Sequence, residues 1–176
     1  NRITNLKWIH FGSVGVDKID LEFAKRNNIK VTNSKGINTD AMINLIIYYL
    51  IDTSKKITFL KKENSRIDYE KLFSTCKDLS KQKICILGYG RISKKIEKYL
   101  NLLNINYYYF SRRVFNSKKI INEKDFIKSL HNFDTIINLL KADKKNMNFL
   151  NMKLFKKMKK EINLILVGRI STINLE

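Results

Sequence analysis

A chain of 176 residues has room for one or two domains with a substantial core, and its 44% apolar content is that of a globular chain rather than a disordered or membrane-embedded one. The net charge of +19 raises nucleic acid or an acidic membrane as partners, but the lysines are spread over every expected helix and loop, with no aromatic-basic motif among them. The absence of proline and the wealth of Lys, Asn, Ile, Tyr and Phe follow an A/T-rich coding bias, which accounts for the charge without such a partner. Cys76 and Cys85 have no metal-ligand spacing, so reduced thiols and no metal are expected. Residues 1–10 show no charged head followed by an apolar core. The longest apolar stretch, 41–51, is interrupted by Asn44 and falls well short of the roughly 20 residues that cross a bilayer. The expectation is a cytoplasmic chain with neither a membrane nor a nucleic-acid partner.

Residues 6–11 (LKWIHF) read as a strand followed by a loop, 12–17 (GSVGVD). Asp20 is placed to cap a short helix over 21–27, and residues 30–32 form a second strand. A long helix is predicted from 39 to about 62, and the irregular stretch 64–79 reads as a connection between structural units. Residues 84–87 are a compact, β-branched apolar run, as in a buried parallel strand. Gly88 and Gly90 follow at once, then Ile92, Ile96, Leu100 and Leu103 at helical spacing with lysines between them. Strand, glycine turn and helix open a dinucleotide-binding βαβ unit: Gly88 permits the tight turn, Gly90 lets the backbone approach a pyrophosphate, and the helix N–H groups face the anion. The third glycine position holds Ser93, and so short a motif also fits an ordinary turn into a helix.

Residues 106–110 (NYYYF) make a good strand by their aromatic content. It runs into Ser111, Arg112 and Arg113, with Ser111 where the acid that takes the ribose hydroxyls is expected. A carboxylate there would repel a 2′-phosphate, whereas a hydroxyl followed by guanidinium groups welcomes one, which favours NADP over NAD. The alternative is that both arginines belong to a generally basic surface. A helix over 123–130, a buried strand over 134–140, a polar loop 141–148, a helix capped by Asn151 and running to 158, and a strand over 163–167 complete the chain, the last ending in Gly168 and Arg169. Strands alternating with helices imply an α/β fold with a doubly wound parallel sheet.

Five blocks in order resemble the D-isomer-specific 2-hydroxyacid dehydrogenase family: LKWIHFGSVGVDKID, VTNSKGINTDA, LSKQKICILGYGRISKKI, FDTIINLL and FKKMKKEINLILVGRI. The resemblance implies a Rossmann-type NAD(P)-binding domain over 39–176 and a fragment of a flavodoxin-like substrate domain over 1–38. It implies an enzyme that passes a hydride between nicotinamide C4 and C2 of a 2-hydroxy or 2-oxo acid, working as a homodimer. Carried over residue by residue, Gly88, Tyr89, Gly90, Arg91 and Ile92 form the pyrophosphate turn, and Ser111, Arg112 and Arg113 the adenosine-ribose site. The backbone of Ser13, Val14 and Gly15 meets the substrate carboxylate, a task a glycine-containing loop suits by turning several N–H groups toward one anion. Arg169 is the catalytic clamp on the 2-oxo acid, where a planar guanidinium makes two bonds at once and polarises the carbonyl.

The sequence also departs from the family pattern. Ser93 replaces the last glycine, Ile170 stands where a glycine follows the arginine, and loop 141–148 lacks the usual prolines and threonine. The family's proton-donating histidine and its glutamate belong downstream of the arginine. Of the two histidines here, His10 is expected to be structural and His131 exposed. The expectation is therefore an incomplete copy of a longer enzyme, with a sheet edge uncovered and prone to self-association. The alternatives are a non-catalytic dinucleotide-binding remnant and a basic nucleic-acid-binding module.

Overall fold

The computed structural model describes residues 5–16, 19–58, 70 and 74–175. They divide into two compact units, one up to Asp40 and one from Ala41 onward.

In the first unit β1 (Trp8–Phe11) pairs in parallel with β2 (Lys30–Asn33) through α1 (Leu21–Arg26). Asp20 caps α1, its Oδ1 accepting from the Phe23 N–H at 2.8 Å. The chain leaves α1 through Asn28 at φ 54°, a left-handed corner that asparagine tolerates better than most residues.

The chain enters the second unit along α2 (Thr39–Lys55), which stops before the expected end at about 62; residues 59–62 lie outside the described residues. Lys56 stands at φ 51° and breaks it. Polar side chains near its end find partners outside the helix, one nearby and one far along the chain. Asp52 Oδ1 accepts from both the N–H and the hydroxyl of Thr58 at 2.8 Å, and Ser54 Oγ donates to the carbonyl of Lys77. Most of the expected connection at 64–79 lies outside the described residues.

Five parallel strands follow: β3 (Lys83–Leu87), β4 (Asn106–Phe110), β5 (Ile120–Ile121), β6 (Thr135–Asn138) and β7 (Asn163–Leu166). Their order is β5-β4-β3-β6-β7, so β3 is central and Ile84–Leu87 are fully buried. Between them lie α3 (Arg91–Leu102), α4 (Glu123–Ser129) and α5 (Met152–Phe155), the last ending before the expected 158. This is a doubly wound sheet. Alternation along β3 sends Ile84 and Ile86 to a core with Ile43, Ile46 and Leu50 of α2 and Ile96 and Leu100 of α3. Cys85 and Leu87 go to the opposite core, with Phe126 of α4, Leu130, Phe133 and Leu154 of α5. Burial pushes the Cys85 thiol well up, out of the range where it reacts.

Asp134 ties the amino ends of the strands. Its Oδ2 accepts from Lys83 N–H at 2.8 Å and its Oδ1 from Lys159 Nζ at 2.7 Å. Burial alone would raise this carboxyl; Lys159 and the Lys83 N–H outweigh it and hold it below the ordinary 3.8. Among the described residues, no helix is long and apolar enough to cross a membrane.

Candidate functional site

Because all five strands run the same way, the turns after β3, β4, β6 and β7 gather at one edge of the sheet, the carboxyl edge where ligands bind in open α/β folds. The turn after β3 is shaped by its two glycines in different ways. Gly88 adopts φ +101°, a conformation that strains any L side chain, with its N–H donating to Phe110 O at 2.9 Å and the Leu139 carbonyl in contact distance of a Cβ placed there. Gly90 begins α3, and a Cβ placed on it would meet nothing within 4 Å. Beyond it lies open space, faced by the first-turn N–H groups that have no acceptor within the helix. Open helix N-termini of this kind receive phosphate groups in α/β folds.

Ser93 does not weaken this turn. It is buried at 1% exposure, and its Oγ donates to Gly88 O at 2.7 Å, so a hydroxyl braces the loop where the family pattern has glycine. Tyr109 of β4 donates its hydroxyl to Ser93 O at 2.8 Å, and burial pushes that phenol well up. Tyr89 packs at 4.9 Å between the rings of Tyr109 and Phe115, with Lys94 Nζ 5.3 Å from its centroid.

At the end of β4, Ser111 Oγ accepts from Arg113 N–H at 3.1 Å, and the Arg113 side chain is exposed. Arg112 is engaged differently from the expectation. Its Nε meets Glu123 Oε2 at 2.8 Å, its Nη1 meets Asn146 Oδ1 at 2.5 Å, and its guanidinium lies 4.9 Å from the Phe149 ring.

After β7 the backbone closes tightly. Gly168 N–H donates to Asn138 O at 2.9 Å, and a Cβ at 168 would stand 2.9 Å from Leu140 O. Gly88 and Gly168 thus both abut the segment 139–140, so the turns carrying Gly90 and Arg169 flank the end of β6. Arg169 is exposed and starts a single 3₁₀ turn, Ile170–Thr172. Its carbonyl accepts from Thr172 Oγ1 at 2.7 Å, and Thr172 Oγ1 accepts in turn from the buried Asn138 Nδ2 at 2.8 Å. Asn138 and Asn146 were not singled out from sequence. The signal for Asn138 was a polar residue inside an otherwise apolar strand.

The expected carboxylate loop lies in the other unit. Ser13 Oγ donates to Gly15 O at 2.9 Å, and Asn33 Nδ2 donates to Val14 O at 2.6 Å, so β2 holds the loop's shape. His10 has both ring nitrogens beside hydroxyls, Thr32 Oγ1 at 2.9 Å and Ser34 Oγ at 3.3 Å. Among the described residues no cluster of three or more His, Cys, Asp or Glu could hold a metal.

The family profile described as "D-isomer specific 2-hydroxyacid dehydrogenase, NAD binding domain" matches residues 47–176. The chain belongs to the D-isomer-specific 2-hydroxyacid dehydrogenase family. Curated members of that family resemble it over nearly its whole length. A putative D-3-phosphoglycerate dehydrogenase of Schizosaccharomyces pombe is 23% identical over 172 residues, covering 92% of this chain and 35% of that protein. A glyoxylate reductase of Thermofilum pendens is 26% identical over 180 residues, covering 98% of this chain and 53% of that protein. A crystal structure of the D-lactate dehydrogenase of Aquifex aeolicus, complexed with NAD and lactic acid, superposes with a TM-score of 0.80 at 22% identity, over 96% of this chain and 52% of that one. The chain therefore spans about a third to a half of the length of these relatives.

Proposed function

We propose that the protein is an NAD(P)-dependent oxidoreductase of 2-hydroxy and 2-oxo acids, with Gly88–Ile92 seating the pyrophosphate and Arg169 clamping the substrate. The observation that carries this is the open cradle over Gly90, at the carboxyl edge of a parallel sheet whose family is defined by NAD binding. Bound there, a nicotinamide dinucleotide supplies the hydride. The residues of this chain bind and orient. The α3 first turn meets the diphosphate, and Ser111 and Arg113 receive the adenosine ribose. The Arg169 guanidinium forks onto carboxylate and carbonyl oxygens, with most effect as charge develops on the carbonyl oxygen. Residues 1–38 are read as part of a substrate domain whose Ser13, Val14 and Gly15 receive the substrate carboxylate, and the whole protein as a homodimer in the cytoplasm.

A preference for NADP rests on Ser111 and Arg113, since Arg112 is already bonded within the protein. NADH and NADPH titrations of the full chain, followed by turnover of a panel of 2-oxo acids, test the proposal. Arg169→Gln is expected to lower kcat/KM by about a hundredfold, taking roughly 3 kcal/mol for two charge-assisted bonds. Cofactor binding with no turnover of any 2-oxo acid would mark a non-catalytic dinucleotide-binding module instead. Salt-sensitive binding of DNA or RNA without cofactor affinity would refute both.

A further inference from the structure

We infer that Arg112 is a positioning residue, a strut that fixes the distance between the loops after β4 and β6, and not a reader of the cofactor's 2′-phosphate. This rests on the proposed dinucleotide site. The sheet order puts β3 between β4 and β6, so the two loops stand on either side of the strand that leads into Gly88. Arg112 spans that gap. One end is fixed by Glu123 at the start of α4, at 2.8 Å, and the other reaches Asn146 in the loop after β6, at 2.5 Å. The plane between them lies against the ring of Phe149, which stacks at 5.0 Å and 10° on Phe110, the last residue of β4.

Asn146 is built to receive it. This residue is 8% exposed, its Nδ2 donates to Lys141 O at 3.1 Å, and its N–H donates to Asp143 Oδ1 at 2.9 Å. The loop that lacks prolines is therefore shaped around one asparagine whose remaining acceptor takes Arg112. The same loop runs on to the substrate-side turn: Asn148 N–H donates to Ser171 O and Leu150 N–H to Thr172 O, each at 3.0 Å. Arg112 thus anchors a continuous set of bonds from the ribose end of the crevice to the turn that begins at Arg169. Swinging the guanidinium toward a 2′-phosphate would break the ion pair, the Asn146 bond and the ring contact together. Lysine cannot replace it, because a single ammonium cannot serve two partners on opposite sides while also resting against a ring.

The test uses the full chain with Arg112→Gln, Arg112→Lys, Asn146→Ala and the Arg112→Gln/Asn146→Ala pair, with Arg113→Gln for comparison. Hydrogen exchange without cofactor is expected to quicken by about tenfold, equivalent to about 1.4 kcal/mol, in both loops 112–119 and 141–149 in Arg112→Gln. The slow amides of α3 should stay unchanged. NADH and NADPH should weaken by the same factor, Arg112→Lys should restore little, and the double variant should be no worse than Arg112→Gln. Loss of NADPH affinity alone, or faster exchange in 112–119 only, would overturn the strut. If the parent chain bound neither dinucleotide, the cofactor reading would fall while the exchange data still decided the strut. Should Arg112→Gln not fold, Asn146→Ala cuts only one arm and must quicken 112–119, or the inference fails.

Discussion

Gly168→Ala and Gly90→Ala separate a glycine required by packing from one required by a ligand. At 168 the added methyl would stand 2.9 Å from Leu140 O and 3.1 Å from Asn138 O. Both obstacles are backbone, and Asn138 O is itself the acceptor of Val167 and Gly168 N–H. To regain ordinary contact the turn must retreat by about half an ångström, at a cost of about 1–3 kcal/mol as in other overpacked sites. Restricting the unfolded chain returns about 0.4–1 kcal/mol, leaving a net loss of about 1–2 kcal/mol. Urea unfolding should show a lower midpoint at unchanged m. At 90 nothing lies within 4 Å and φ is −104°, so the same change should move stability by less than about 0.5 kcal/mol. Its effect should instead appear in NADH titration, as a loss of about tenfold or more, because the methyl occupies the diphosphate's approach. Equal stability of the two variants would refute the packing account of Gly168. Undiminished NADH affinity in Gly90→Ala would remove the diphosphate from that cradle.

Asp134→Asn should destabilise by about 1–3 kcal/mol at neutral pH, since it removes a charge-assisted bond to Lys159 while the Lys83 N–H keeps an acceptor. The folded carboxyl lies below its unfolded value, so its stabilisation is present above about pH 4 and is lost as pH falls through the folded value. Urea midpoints of parent and variant should therefore converge below pH 4 and differ fully at pH 6. Ser93→Gly should cost about 1–2 kcal/mol, from the lost bond to Gly88 O and a glycine inside a helix, although glycine is what the family pattern carries there. A gain in thermal stability would show that the hydroxyl braces nothing.

The parts of the fold that could be seen in sequence are those where one interaction type dominates. Asn106–Phe110 is a strand by aromatic content alone, and Gly88, Gly90 and the Ile92–Ile96–Leu100 spacing announce the turn and helix. The early end of α2 was hidden because it depends on Asp52 turning back onto Thr58 and on Ser54 reaching the carbonyl of Lys77, twenty-three positions on, contacts that apolar periodicity does not register. β5 is two residues long, too short for any pattern. Within the site, Arg112 looked like a phosphate ligand because sequence shows its neighbours Ser111 and Arg113 but not Asn146, thirty-four positions on. The same holds for Asn138, whose partner Thr172 is equally distant.

Glycine is scarce in this chain, with six in 176 residues, and its corners are divided accordingly. Asn28, Lys56, Asn104 and Asn148 take positive φ with a side chain in place, so composition bias is absorbed where a modest backbone penalty suffices. Gly88 and Gly168 admit no such exchange, the first for its φ of +101°, far from where L side chains are comfortable, and the second for want of a methyl's space. A drift toward A/T-rich codons can therefore rewrite such corners, yet among the described residues it meets resistance at Gly36, which holds φ 100°, and at Gly88 and Gly168, where backbone meets backbone at the carboxyl edge of the sheet.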